Sequence, residues 1–333
     1  MNFFPVQSSL LDAHALQRLV EQEHDLPFPI SCVLYLQGDN DTYQIRAADQ
    51  THYLRVYTHN KDPEHHLRIA TEIDLLEIAH AAGVPVARAL SRKDGSYLHL
   101  LNAPEGIRVA VLFEGVPGVA PGKNLTAEQA QLYGQAVGEL HRAWNVDQVL
   151  PLPIYDAVPV VEEPIKLLTS YLQQRPEDLD FLQEVADRVS IQISTLPDHG
   201  AAYGVIHGDL HKTNVLFTPE NQLSLIDFTT VGYGWRAHEV AVMLWSTALV
   251  GDFEPRPFPA VFQAYLQGYE SVRPLDDKEK AALPLLAAGQ HLWIMGVEVA
   301  LVQSGRWDTH WVTTDGWLDQ WIGKLRHWMA LHP

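Results

Sequence analysis

Between Thr42 and Ala47, and again between His52 and Tyr57, apolar and polar side chains alternate, as in strands with one buried face. A third strand, Ser31 to Leu36, precedes the turn formers Gln37-Gly38-Asp39-Asn40-Asp41. Two more, near Tyr97 to Leu101 and Arg108 to Phe113, flank the turn Ala103-Pro104-Glu105-Gly106. Helical spacing opens the chain, where Leu11, Ala15, Leu16 and Leu19 recur behind a cap at Ser8 or Ser9. It returns after Asp62-Pro63, with Leu67, Ala70, Ile73, Leu76 and Ala79 on one face and Gly83 as terminator. The first third therefore reads as a helix followed by a small antiparallel sheet.

The turn-rich segment Glu114-Gly115-Val116-Pro117-Gly118 marks a boundary, dividing the chain into 1–114 and 115–333. Beyond it the period is mainly helical. Thr126 caps a long helix through Ala130, Tyr133, Val137 and Leu140 to Trp144, with Glu128 adding negative charge to its first turn. A proline-rich stretch from Leu150 to Pro164 precedes further helices, and one β-like island runs from Val205 to Asp227. The rest, Ala237 to Leu331, is helical. It carries Trp245, Trp293, Trp307, Trp311, Trp317, Trp321 and Trp328, expected mostly in its core or a lid.

With 47% apolar and 19% charged residues, the chain can build a substantial core. Its formal charge of -18, from 41 acidic and 23 basic side chains, argues against nucleic acid and anionic membranes as partners. Such a field suits solubility first and a cationic small molecule second. The one cysteine, Cys32, excludes an internal disulfide and a multi-cysteine zinc site, and its apolar surroundings predict a buried small hydrophobe. Met1 to Leu11 lacks a signal-peptide pattern. The apolar stretches Ala241 to Val250 and Leu292 to Val302 are too short, or broken by Glu298, to span a bilayer. A cytoplasmic protein is expected.

Chemistry concentrates in Val205-Ile206-His207-Gly208-Asp209-Leu210-His211-Lys212-Thr213-Asn214-Val215-Leu216-Phe217, followed by Leu225-Ile226-Asp227-Phe228. Both acidic positions follow apolar runs, so each leaves the end of a buried strand. Pro219, Glu220 and Asn221 link the strands Val215 to Phe217 and Leu223 to Ile226, a hairpin that brings Asn214 and Asp227 to one end. Oxygen donors of this kind suit Mg²⁺. Asp209 has the chemistry to accept or orient a substrate hydroxyl, and phosphoryl transfer asks chiefly for positioning and charge neutralisation.

His207-Gly208-Asp209, Asn214 five residues later, and Ile226-Asp227-Phe228 resemble the catalytic and metal-binding loops of kinases. The HGD form with a following His-x-x-Asn is similar to the aminoglycoside phosphotransferase and choline kinase family of small-molecule kinases. The resemblance implies an α+β, bilobal protein-kinase-like fold that uses ATP and Mg²⁺ to phosphorylate a hydroxyl of a small molecule such as an amino alcohol, sugar or aminoglycoside. It implies Asp209 as catalytic base and Asn214 and Asp227 as metal ligands. Arg55 stands where protein kinases carry a phosphate-binding lysine, and Glu72 where they carry its ion-pair partner. The turn Gly38 to Thr42 takes the place of the phosphate-covering loop, putting Asn40 beside the nucleotide. Ala110 to Val116 resembles the adenine-binding hinge, with Glu114 and Val116 as its contacts. Gly138-Glu139-Leu140-His141 matches the helix before the catalytic loop, and Glu239 the acidic residue that braces that loop.

His211, Tyr233, Trp235 and Arg236 are candidate contacts to the acceptor, an aromatic wall suiting an amine or sugar. Packing at a helix entry is the alternative for the last three. Three competing functions are weighed. A Ser/Thr protein kinase would want an Ala-Pro-Glu motif that does not follow Asp227. A nucleotide-binding pseudokinase is suggested only by Arg55 and the glycine-poor loop. A metallohydrolase would use His207, Asp209 and His211 as ligands.

Overall fold

The computed structural model describes residues 4–60, 62, 64–146, 148–250, 258–305 and 311–333. It contains two compact units, residues 1–81 with 86–117 and residues 82–85 with 118–333. In the first unit α1 (Ala13–Glu23) precedes β1 (Ile30–Gln37), β2 (Asp41–Ala47) and β3 (Gln50–Val56). Then come α2 (His65–Ala81), β4 (His99–Ala103) and β5 (Gly106–Glu114). The five strands form one antiparallel sheet in the order β1-β2-β3-β5-β4. Tyr43, Ile45 and Ala47, alternating along β2, face Leu54, Val56, Ala110 and Leu112 and the α1 residues Leu16 and Val20 in a common core. Cys32 is buried there, and burial pushes its thiol up to about 12.

The start of α1 differs from expectation. Asp12 caps it, accepting from Ala15 N at 2.8 Å. Ser9 is instead committed to the β4–β5 turn, its amide and hydroxyl donating to the Glu105 carboxylate at 3.0 and 2.8 Å. Residue 63, read as the first turn of α2, lies outside the described residues.

The second unit runs α3 (Ala127–Ala143), α4 (Glu163–Thr169), α5 (Pro176–Ser194), β6 (Tyr203–Ile206), β7 (Val215–Phe217), β8 (Leu223–Leu225) and β9 (Gly232–Trp235). It ends in α6 (Arg236–Leu244), α7 (Ala260–Glu270), α8 (Asp277–Ser304) and α9 (Asp315–Leu331). Thr126 caps α3 as expected, in a reciprocal box with Gln129. Helices α3 and α7 approach until backbone meets backbone: a Cβ on Gly134 would sit 1.9 Å from Tyr265 O, and one on Gly268 1.9 Å from Gln131 O. Residues 82–85 count with this unit, where Pro85 O accepts from Leu225 N at 2.8 Å.

Strand β9 was not foreseen, since Gly232 and Gly234 make its segment glycine-rich. It pairs antiparallel with β6, and the proline-rich stretch joins its other side, Tyr233 N donating to Pro153 O and Tyr155 N to Tyr233 O. Helix α8 is longer than the apolar stretch read from sequence. Among the described residues it alone is long and apolar enough to cross a membrane, yet 56% of its most apolar window is buried within the protein. It packs against α4, α5 and α6, as a core helix does. Trp245, Trp317 and Trp328 are buried and Trp311 is exposed, while Trp307 lies outside the described residues.

Candidate functional site

Strand β6 carries the chain into the loop that presents Asp209. Gly208 makes the turn at φ +86°, and a Cβ there would meet Thr230 O at 2.6 Å. Glu239, fully buried on α6, gathers the loop's amides: Oε2 accepts from His207 N at 2.6 Å and Gly208 N at 3.1 Å, and Oε1 from Leu210 N at 3.3 Å. Burial alone would raise the Glu239 carboxyl, but His141, His207 and the Gly208 amide outweigh it and bring the group down to about 2. His141 lies 3.7 Å away, with its Nδ1 2.8 Å from the Tyr269 hydroxyl. Burial holds its imidazole down at about 4, despite the adjacent carboxylate. The site rests on an anion clamped by backbone dipoles, the bracing role implied for Glu239.

His207 serves structure. Its Nδ1 faces Asp209 N at 3.3 Å, its Nε2 faces Ile226 O at 3.1 Å, and its ring lies 4.5 Å from that of Phe228. Both nitrogens are thus occupied by backbone, which removes His207 from the His-x-Asp-x-His metal set. No group of three or more His, Cys, Asp or Glu side chains able to hold a metal occurs among the described residues. The metallohydrolase reading fails on both counts.

Asp209 is one-fifth exposed, and its Oδ1 is buried with no hydrogen-bond partner. A buried carboxylate oxygen left open this way is costly unless a ligand completes it. Asn214 is fixed by its Nδ2, which donates to Asp209 O at 2.8 Å and leaves Oδ1 as its available acceptor. The β7–β8 register pairs Val215 with Leu225, and Ile226 N donates to Asn214 O at 3.1 Å. Asn214 and Asp227 therefore leave one end of the hairpin, as expected. Asp227 is exposed in the left-handed region (φ 64°, ψ 67°), with Thr229 Oγ1 donating to Oδ1 at 2.9 Å. A non-glycine residue there costs about 1–3 kcal/mol, a strain that recurs at functional sites. One amide oxygen and one carboxylate fit Mg²⁺, which keeps several waters and phosphate oxygens of its own.

In the first unit Arg55 Nη1 lies 3.1 Å from Glu72 Oε1, with side chains 16% and 4% exposed. This is a partly buried pair. Tyr57, whose part was missed, donates its hydroxyl to Glu72 Oε2 at 2.9 Å. The Arg55 guanidinium stands 5.0 Å from the Phe113 ring centre. Asn40 Oδ1 accepts from Thr58 N at 3.0 Å, which fixes the β1–β2 turn. Glu114 exchanges hydrogen bonds with Arg88, N to O at 2.8 Å and Oε1 from N at 3.1 Å, and Val116 is half-buried.

The acceptor candidates separate. His211 lies beside Asp209, its Nε2 at 3.4 Å from Oδ2. Tyr233 is half-buried and receives Leu150 N on its hydroxyl at 2.9 Å. Trp235 and Arg236 are 8% and 4% exposed. Arg236 donates to Ala201 O and Asn145 Oδ1, each at 3.4 Å. Both are buried at the entry to α6.

The family model described as "Phosphotransferase enzyme family" (APH) matches residues 36–275. A protein of Deinococcus radiodurans is 33% identical over 295 residues, 88% of this chain and 84% of its own length. A homoserine kinase of Rhodospirillum rubrum is 29% identical over 262 residues, 75% of this chain and 74% of its own. Among solved structures, the amicoumacin kinase hAmiN, in complex with AMP-PNP, Ca²⁺ and Ami, superposes with a TM-score of 0.74 at 18% identity. The match covers 95% of this chain and 93% of that one.

Proposed function

The chain belongs to the phosphotransferase enzyme family, and from that premise we propose that it moves the γ-phosphoryl group of ATP onto a hydroxyl of a small amino alcohol. The observation that carries this reading is the buried Asp209 Oδ1 without a hydrogen-bond partner, on a loop whose amides Glu239 clamps, beside Asn214. The Asp209 carboxylate receives the hydrogen bond of the acceptor hydroxyl and aims that oxygen at the γ-phosphorus. The new O–P bond forms as the bond from that phosphorus to the β,γ-bridging oxygen breaks. ADP leaves, and the hydroxyl proton passes by way of Asp209 to solvent. Asn214 Oδ1 and the Asp227 carboxylate would hold Mg²⁺, which when bound neutralises phosphate charge.

In the first unit Arg55, steered by Glu72 and Tyr57, would donate to nucleotide phosphate, a bidentate task suited to guanidinium. Asn40 in its fixed turn, and Glu114 with Val116 at the end of β5, would contact the same nucleotide. An amino-alcohol acceptor is supported by the likeness to a homoserine kinase and by the charge of -18, which attracts amines. Such an ATP-using enzyme belongs in the cytoplasm.

The test is ADP release with Mg²⁺ and a panel of homoserine, other amino alcohols, sugars and aminoglycosides. Wild type should turn over one class, and Asp209→Asn should lower kcat by at least about 1,000-fold while binding ATP and Mg²⁺ nearly as tightly, since it loses only an interaction of the reacting hydroxyl. Unchanged turnover in Asp209→Asn would refute the assignment.

A further inference from the structure

We propose that His211 is a positioning residue for Asp209, resting on the reading of Asp209 just given. Thr213 N lies 3.2 Å from His211 Nδ1, and Thr213 Oγ1 lies 2.8 Å from the same nitrogen. A backbone amide can only donate, so Nδ1 is the acceptor and the neutral ring carries its hydrogen on Nε2. That Nε2 is 3.4 Å from Asp209 Oδ2 and 3.4 Å from Asn214 Nδ2. Asn214 Nδ2 is itself a donor, already directed at Asp209 O at 2.8 Å, so it offers nothing to an N–H. Oδ2 is the one acceptor of the two, at an ion-pair separation from which the Nε2 hydrogen can close on it.

The ring is held from behind as well. His211 N donates to Asp209 O at 2.8 Å, and the buried Tyr133 places its hydroxyl 3.3 Å from His211 O. The two carboxylate oxygens of Asp209 thus have separate duties. Oδ2 faces His211, which by closing on it stops the carboxylate from rotating, and Oδ1 is buried with no hydrogen-bond partner of its own. At 3.4 Å the pair is wider than a formed hydrogen bond, as catalytic contacts commonly are before the reacting groups assemble. His211 therefore acts through Asp209 and need not touch the acceptor.

The experiment compares wild type, His211→Ala, His211→Gln, His211→Lys and Asp209→Asn with ATP, Mg²⁺ and the turned-over amino alcohol. Gln can place an amide N–H where Nε2–H stood. His211→Ala should lower kcat about 10- to 100-fold with KM for ATP and acceptor within about twofold, the scale of a misaimed catalytic group. His211→Gln should recover most of that loss and His211→Lys should not. An unchanged kcat in His211→Ala overturns the proposal. So does a rise in acceptor KM with kcat intact, which would make His211 a substrate contact, or rescue by Lys alone, which would make it a phosphate-binding cation. Should a variant not fold, ¹⁵N-histidine spectra of the wild type give a second reading. The signal missing from any folded His211 variant, or assigned through Thr213, must show the hydrogen on Nε2, and a hydrogen on Nδ1 overturns the proposal. A wild type that phosphorylates nothing, with Asp209→Asn indistinguishable from it, removes the parent reading, whereas an inert Asp209→Asn beside a fully active His211→Ala removes this inference alone.

Discussion

Glu239 shows how much one side chain can organise. Three amides of the loop 207–210 converge on its two oxygens inside a fully buried setting, where hydrogen bonds to a charged group count for about 1.5–3 kcal/mol each. Glu239→Gln keeps the shape but turns an NH₂ toward donors. We expect it to lose at least about 2 kcal/mol of stability, with a fall in kcat exceeding the change in ATP affinity. Urea titration and steady-state kinetics check both, and a variant of wild-type stability would show that the amides find other acceptors. The role of this residue could be read from the chain because it rests on position in a motif. Tyr57, by contrast, reaches Glu72 on α2 across 15 residues from just beyond β3, and no local pattern announces it. Likewise Ser8 and Ser9 are as good helix caps as Asp12 by propensity, and only the distant Glu105 decides between them.

Among elements, the hairpin β7–β8 was legible because the apolar triplet Val215–Phe217 and the Leu223, Leu225 and Ile226 run flank polar turn formers. Strand β9 was not, because its alternate positions are glycine and its partners lie far away, at β6 and at Pro153. The helix pair α3 and α7 carries a stronger prediction. Helical Gly→Ala ordinarily stabilises by about 0.5–1 kcal/mol. At Gly134 and Gly268 the added methyl would meet a carbonyl oxygen at 1.9 Å, so the helices must separate. Overpacking of this sort costs about 1–3 kcal/mol or more and wins over propensity. Gly134→Ala and Gly268→Ala should lower the thermal midpoint, whereas Gly323→Ala on α9, with nothing within 4 Å, should raise it. Equal midpoints for all three would mean that α3 and α7 adjust freely.

For the molecule as a whole, acid should act well above the carboxylate range. Burial, followed by His24 and Arg92, pushes His99 in the first unit down to about 4 from 6.5, and its Nε2 sits 2.9 Å from that of His24. Burial likewise brings His141 in the second unit down to about 4. A histidine whose folded pKa is depressed gives stability that is fully present above 6.5 and is lost as pH falls toward 4, because the unfolded chain then binds more protons. Glu239 has the same sign, its contribution fading as pH drops from 4.5 toward 2. Both units should therefore lose stability from about pH 6.5 downward, with a smaller slope in His99→Gln. Urea midpoints measured across that range decide it, and a flat profile down to pH 4.5 would contradict the histidine assignment.

Residues 82–85 have a consequence for anyone cutting the gene. The chain passes between its two units three times, at 81/82, 85/86 and 117/118, so a single break after Pro117 does not yield two self-sufficient pieces. A fragment beginning at Gly118 would leave Leu225 N without the carbonyl of Pro85, next to the hairpin end that presents Asp227. Its amino-terminal counterpart would carry a four-residue loop whose proper company is elsewhere. Complementation of the two halves should thus depend on which one receives that short tether.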